Sequence, residues 1–112
     1  MRIAMLMLVT ATLFAIAATA SAQTMKAGSV TMVRTGWNAD SFAIVTAEPI
    51  ANPAGCATAD GYISDKSLPG YATYYAAALA AVTTRKRVVI TVHNSECFGG
   101  RPKLIGVNVT SE

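Results

Sequence analysis

The segment from residue 68 to residue 92 limits the fold most, because its hydrophobic period changes once within it. Over residues 68–84, apolar side chains recur at the spacing typical of the buried face of a helix. The predicted buried face comprises Leu68, Tyr71, Ala72, Tyr75, Ala78, Leu79 and Val82. After the basic residues 85–87 the spacing becomes alternate, with Val88, Ile90 and Val92 on one side. The sequence therefore predicts a helix followed directly by a strand.

The two ends of this helix carry unequal signals. Ser67 is a suitable N-cap, and Pro69 suits the first helical turn, where its missing N–H costs nothing. No glycine follows Thr84, so Arg85 or Lys86 is expected to end the helix, where a cation interacts favourably with the helix dipole. We expect the helix to begin beside Ser67 and to end at Thr84.

The N-terminal residues 1–22 have the pattern of a secretory signal peptide. Arg2 gives a positive start, residues 3–18 are apolar and uncharged, and residues 20–22 read Ala-Ser-Ala, a small-residue cleavage pattern. A retained membrane anchor is the less favoured alternative, because the apolar run is short. Removal of the first 22 of the 112 residues leaves 90. We expect residues 23–112 to form a single domain that is secreted or periplasmic, with no membrane contact after cleavage.

The two cysteines, Cys56 and Cys97, are expected to pair. Export places the chain in an oxidising compartment, where a disulfide is the default state of two cysteines in a small domain. Without Arg2, the nine basic residues become eight against six acidic ones, a net charge of +2. That charge is too small for a nucleic-acid-binding surface, so no nucleic-acid partner is expected. The basic cluster of residues 85–87 with Arg101 and Lys103 is interpreted as solvated turns, and attraction to an anionic partner is the less favoured alternative.

Five strands are predicted around the helix. They cover residues 29–34, 42–46, 60–64, 88–92 and 103–110, with a mobile start at 23–28 and loops at 35–40, 48–59 and 94–102. In the last strand, Ile105, Val107 and Val109 are expected to face inward. The order β-β-β-α-β-β is that of the OB-fold, a small Greek-key barrel, with the helix closing one end. The alternative is an α+β fold in which the helix packs on an open antiparallel sheet.

Several segments together resemble small secreted bacterial proteins related to toxin binding subunits, such as those of subtilase cytotoxin and the pertussis-like toxins. The segments are residues 28–36, the Tyr-Tyr-Ala-rich run 74–81 and the strand 87–92, followed by a cysteine and a final strand. The resemblance implies an OB-fold, a ring-shaped homo-pentamer and recognition of sialylated or related glycans. Lys26 or Ala27 stands where those proteins carry a sugar-contacting serine, and Thr84 is followed by Arg85 rather than by a glycine.

Trp37 is the most informative candidate ligand contact. It lies in the polar run 35–40 beside Asn38 and Asp40, and an aromatic ring with amide and carboxylate neighbours suits the faces and hydroxyls of a sugar. The alternative is that the Trp37 ring covers the barrel rim. Tyr74, off the predicted buried stripe, is a further candidate contact.

No catalytic or metal site is predicted. His93, Glu96 and Cys97 match no zinc-ligand spacing, and Cys97 is expected to be oxidised. His93 is the only histidine, no nucleophile elbow is present, and Asp60 and Asp65 are interpreted as turn-capping residues. We therefore expect a binding module without enzymatic activity or a cofactor, and the resemblance implies a glycan as its ligand. The alternative is an envelope protein that binds another protein or has a structural role.

Overall fold

The computed structural model describes residues 12, 23–36 and 39–111. The predicted signal peptide therefore lies outside the described residues, apart from residue 12. Among the described residues, no helix has both the length and the apolar character needed to cross a membrane.

Five strands close into a barrel around one helix. The elements are β1 (Gln23–Thr35), β2 (Ser41–Thr46), β3 (Tyr62–Asp65), α1 (Tyr71–Thr84), β4 (Arg87–Phe98) and β5 (Arg101–Val109). Around the barrel the strands follow the order β1-β2-β3-β5-β4, and β4 returns to β1. All neighbours are antiparallel except β3 and β5. The predicted β-β-β-α-β-β order and the OB-fold-like barrel are confirmed, and the open-sheet alternative is wrong.

Strand β1 is longer than predicted, and it closes the barrel by pairing with both β4 and β2. Its first half, residues 23–29, pairs with β4, and its second half, residues 30–35, pairs with β2. The prediction of a mobile start at residues 23–28 is therefore wrong. Between the halves, Glu48 accepts the backbone N–H of Ser29 at 2.8 Å, and a Cβ built on Gly28 would lie 2.7 Å from that carboxylate. Glycine at position 28 thus allows the Glu48 carboxylate to lie against the strand.

Strands β4 and β5 form a hairpin where the sequence predicted a loop at 94–102. Its turn is the pair Gly99 and Gly100, whose φ values of 51° and 75° are strained for other residues. Before the turn, β4 bulges, since Val92 pairs with Leu104 whereas Cys97 pairs with Pro102. In the bulge, Nδ1 of His93 accepts the backbone N–H groups of Ser95 and Glu96, each at 3.1 Å. The polar composition of this segment reflects the bulge rather than a loop.

The inward side of β5 differs from the prediction because of a second irregularity. Thr91 pairs with Gly106 but Val92 pairs with Leu104, so Ile105 is an extra residue. The alternation therefore reverses at that point. Leu104 is 0% exposed and Val107 packs against the core, whereas Val109 is 42% exposed. Of the three residues predicted to face inward, only Val107 does so. The prediction is wrong for Ile105, which is the extra residue of the bulge, and for Val109, which is exposed.

The helix begins later than predicted. Its N-cap is Gly70, with no side-chain cap, and the backbone N–H of Tyr74 donates to the Gly70 carbonyl at 2.9 Å. Ser67 is not the cap, because its backbone N–H donates to the Asp65 carboxylate at 2.8 Å in the preceding turn. At the other end, Arg85 adopts the left-handed conformation with φ 57°. Arg85 thus replaces the glycine that usually ends a helix.

The buried face of α1 is rotated from the predicted one. Ala78 and Ala81 are buried, but Ala72 is exposed and the Leu79 side chain is 39% exposed. The rings of Tyr71, Tyr74 and Tyr75 pack against the barrel core. The core comprises Phe42, Ile44, Tyr62, Ala78, Ala81, Val88, Ile90, Val92 and Leu104. The core includes Val88, Ile90 and Val92, so the predicted inward face of β4 is confirmed. The inward position predicted for Leu79 is wrong, because the helix packs its small alanines against the barrel and so approaches it more closely.

The predicted disulfide is confirmed. Cys56 and Cys97 are joined, with their Cα atoms 5.9 Å apart. Cys97 lies within β4 rather than in a loop. The backbone N–H of Thr58 also donates to the carbonyl of Gly100 at 2.8 Å. The segment before β3 is thereby held against the turn between β4 and β5.

Candidate functional site

The outward face of β2 and β3 carries a cleft. Arg34 pairs with Ala43, which pairs with Ile63, so these three side chains form a row across β1, β2 and β3. Phe42 and Ile44, on either side of Ala43, belong to the core, so the row faces outward. The cleft has a volume of about 410 Å³. Its lining consists of Arg34, Thr35, Gly36, Ser41, Phe42, Ala43, Ile63 and Arg101.

The position of this cleft follows from the barrel topology. It is bounded by the connection between β1 and β2 on one side and by Arg101, directly after the β4–β5 turn, on the other. The backbone N–H of Gly36 donates to the Ser41 carbonyl at 2.8 Å, which closes the base of the β1–β2 connection. In OB-folds, the β2–β3 face and these two connections form the usual ligand surface. The cleft therefore lies where the fold most often binds ligands.

Two arginines at the cleft share a single carboxylate. Nε of Arg101 lies 2.5 Å from Oδ1 of Asp60, and its Nη2 lies 3.3 Å from Oδ2, so the contact is bidentate. Nη2 of Arg34 lies 3.2 Å from the same Oδ1. We call these residues, Arg34, Asp60 and Arg101, the arginine–aspartate cluster. It carries one positive charge in excess, which favours an anionic group in the cleft.

The cluster keeps Asp60 ionised. The hydrogen bond from Arg101 lowers the pKa of Asp60 below its ordinary value, and the hydrogen bond from Arg34 acts in the same direction. The same contact raises the pKa of Arg101. All three side chains are partly exposed, so water screens their interaction. Both guanidinium groups therefore remain accessible to a ligand while Asp60 holds them in place.

The cluster predicts an acid-dependent loss of stability. Because the pKa of Asp60 is lower in the folded state than in the unfolded state, its stabilisation is present above the unfolded pKa and is lost as pH falls through the folded pKa. We expect Asp60→Asn to flatten the decline of melting temperature between about pH 5 and pH 2, measured by circular dichroism. In an Arg34→Gln, Arg101→Gln background, the same change should leave the decline unaltered. Equal acid profiles for Asp60→Asn and wild type would contradict the assignment.

The predicted ligand-binding residues do not line the cleft where the structure describes them. Trp37 and Asn38 lie outside the described residues, between Gly36 and Ala39, so their role stays a prediction. The Tyr71 hydroxyl donates a hydrogen bond to Oδ1 of Asp40, with the two oxygens 2.5 Å apart. This hydrogen bond raises the pKa of Tyr71 to about 12. The Tyr74 ring packs against the core and over Gly70.

The residues that form the cluster were missed because no sequence pattern joins them. Arg34 and Asp60 are 26 positions apart, and Asp60 and Arg101 are 41 apart. Sequence reasoning treated Asp60 as a turn-capping residue and Arg101 as part of a solvated basic cluster. The usable signal was the predicted OB-fold, in which the β2–β3 face and the β1–β2 and β4–β5 connections form the usual ligand surface.

Two further groups of charged contacts in the described chain lie outside this cleft: Nη1 of Arg87 lies 3.3 Å from Oε1 of Glu48, and the second group surrounds Glu96. Glu96 binds Nζ of Lys103 at 2.7 Å and lies 3.5 Å from Nε2 of His93, within the β4 bulge. The pKa of Glu96 is lowered, chiefly by the hydrogen bond from Lys103. Among residues 12, 23–36 and 39–111, no three His, Cys, Asp or Glu side chains are placed to hold a metal ion.

No protein-family model matches the chain, and a search of curated proteins finds no match to it. The resemblance to toxin binding subunits therefore stays a prediction, apart from the fold that it implied.

Proposed function

We propose that this protein is a secreted or periplasmic, non-catalytic binding module that holds an acidic glycan in the β2–β3 cleft. The observation that supports it is the arginine–aspartate cluster, in which two guanidinium groups at the cleft share one carboxylate. A planar guanidinium presents paired N–H donors that match the two oxygens of a carboxylate. The disulfide supports the exported location, because such bonds persist in oxidising compartments.

The rest of the cleft suits a sugar ring. Ala43 and Ile63 supply an apolar floor for the C–H face of the ring. Thr35 and Ser41 supply hydroxyl groups that can donate to or accept from sugar hydroxyls. An acidic sugar such as a sialic acid combines these features with a carboxylate for Arg34 or Arg101. A ring-shaped pentamer, which the resemblance implies, is compatible with this surface but is not needed for it.

Binding of sialyllactose and lactose to the chain without residues 1–22, measured by isothermal titration calorimetry, tests the proposal. We expect sialyllactose to bind and lactose to bind at least about tenfold more weakly. Arg101→Gln should weaken sialyllactose binding by a factor on the order of ten, since it removes a charged donor. Asp60→Asn should strengthen binding, because it removes the negative charge that competes with the ligand for both arginines.

The opposite directions of these two changes separate a binding role from a structural one. Both substitutions break the same ion pair, so damage to the fold alone would weaken binding in both variants. Lys86→Gln, at the opposite end of β4 from the β4–β5 turn, is the matched control for loss of one charge and should leave binding unchanged. A blank glycan array for wild type, or equal binding of lactose and sialyllactose, would refute the proposed ligand class.

A further inference from the structure

We infer that the binding surface continues beyond the Arg34–Asp60 contact into a second cleft, and that the ligand spans at least two sugar residues. The inference rests on the proposed function and specifies its ligand. The acidic sugar lies in the first cleft, and a neutral neighbouring sugar lies in the second.

The second cleft has a volume of about 230 Å³ and is lined by residues of β2, of β3 and of the segment between them. Its lining consists of Ile44, Val45, Thr46, Glu48, Ile50, Ala59, Asp60, Gly61 and Tyr62. Val45 follows Ala43 by two positions on β2, and Gly61 precedes Ile63 by two positions. Because alternate residues of a strand face the same side, both clefts open outward, one step of about 7 Å apart along the strands. That step is comparable with the size of one sugar residue.

The contact between Arg34 and Asp60 forms the boundary between the two clefts. Asp60 lines the second cleft, and Arg34 lines the first. The Arg34 guanidinium lies over Gly61, since a Cβ built there would be 3.0 Å from Nη2. Glycine at position 61 thus leaves room for the side chain that crosses the face. Both side chains of this ion pair are partly exposed, so one ligand can contact both sides of it.

The two clefts differ in charge, which orders the ligand. The first offers the donors of Arg34 and Arg101. The second offers the carboxylate of Glu48, whose Oε1 also lies 3.3 Å from Nη1 of Arg87, while Asp60 in its lining is held by the two cluster arginines. The pKa of Glu48 is lowered, chiefly by the hydrogen bond from the Ser29 backbone N–H, so Glu48 is an anionic acceptor at neutral pH. A carboxylate accepts hydrogen bonds from neutral sugar hydroxyls, and among the described residues the lining of the second cleft contains no arginine or lysine to bind a second acidic group.

Apolar groups of the second cleft complete the fit to a sugar. Val45, Ile50 and Ala59 line it. Met32, which is 49% exposed, pairs with Val45 on the adjacent strand. A sugar ring presents C–H groups on its face and hydroxyls at its edge, so this combination of apolar floor and carboxylate rim accommodates a neutral residue. The surface thus has a polarity, from arginine donors to carboxylate acceptors.

Calorimetric titration with the methyl glycoside of sialic acid and with sialyllactose tests the inference. We expect sialyllactose to bind more tightly than the monosaccharide by a factor on the order of ten. In wild-type heteronuclear NMR spectra, the monosaccharide should shift the amides of Ala43 and Ile63, and sialyllactose should also shift those of Thr46 and Gly61. Val45→Tyr, which fills the second cleft only, should reduce sialyllactose affinity to that of the monosaccharide.

The outcomes separate this inference from the function on which it rests. Val109→Tyr, a matched change at an exposed residue near the end of β5, should retain the difference between the two ligands. Equal affinity of wild type for both ligands, or amide shifts confined to the first cleft, would contradict binding of a sugar in the second cleft and leave the proposed function intact. Absence of binding by either ligand would overturn the proposed function itself.

Discussion

Replacement of both Cys56 and Cys97 by serine should lower the free energy of unfolding by about 4 kcal/mol. The disulfide joins residues 41 positions apart, and closing a loop of that length lowers the conformational entropy of the unfolded chain. A small domain has only about 5–15 kcal/mol of stability, so this loss is a large fraction of it. Urea denaturation of the oxidised wild type, the reduced wild type and the variant measures the difference.

The reduced wild type is the internal control for this substitution. It should unfold at nearly the same urea concentration as the double serine variant, and a reducing agent should leave that variant unchanged. A loss below about 1 kcal/mol would show that the loop is held mainly by its other contacts, such as the hydrogen bond from Thr58 to Gly100. It would also show that the disulfide is not the main constraint on the segment that carries Asp60.

Leu104→Ala should lower the free energy of unfolding by about 2–5 kcal/mol. The Leu104 side chain is 0% exposed and belongs to the barrel core, so its truncation removes buried apolar surface and leaves a cavity. Leu79→Ala is a matched control, since it removes the same atoms from a side chain that is 39% exposed. It should change stability by less than about 0.5 kcal/mol, because alanine also has the higher helix propensity.

The comparison tests which face of α1 contacts the barrel. Thermal and urea denaturation of the two variants, under identical conditions, supplies both values. If Leu79→Ala were as costly as Leu104→Ala, the helix would present the face that its sequence periodicity predicted.

The helix shows why periodicity identified an element but not its orientation. An alanine-rich helix has a weak contrast between its faces, so several rotations fit its sequence almost equally well. Packing against the barrel determines which rotation is adopted. The ring centroids of Tyr71 and Tyr75 lie 5.4 Å and 5.2 Å from the ring centroid of Phe42, and small alanines face the barrel. Phe42 belongs to a strand predicted separately, so the helix sequence alone lacked the partner that determines its rotation.

The lengths of β1 and β4 could not be predicted for a related reason. Residues 23–28 have little hydrophobic contrast, and residues 94–98 are mostly polar, so neither has the pattern of a half-buried strand. Both nevertheless lie in strands. The first segment is extended because its backbone hydrogen bonds to β4 close the barrel. Such bonds depend on the neighbouring strand rather than on the side chains of the segment.

Side-chain periodicity and the expected pairing of the two cysteines were sufficient for the order of the elements, the inward face of β4 and the Cys56–Cys97 bond. These properties depend on side-chain period and on cysteine chemistry, both of which can be read along the chain. The candidate site depended on strand register, which brings Arg34, Asp60 and Arg101 together from three distant parts of the chain. Register is determined by how complete strands pair around the closed barrel, so the cluster emerges only when the whole chain is folded.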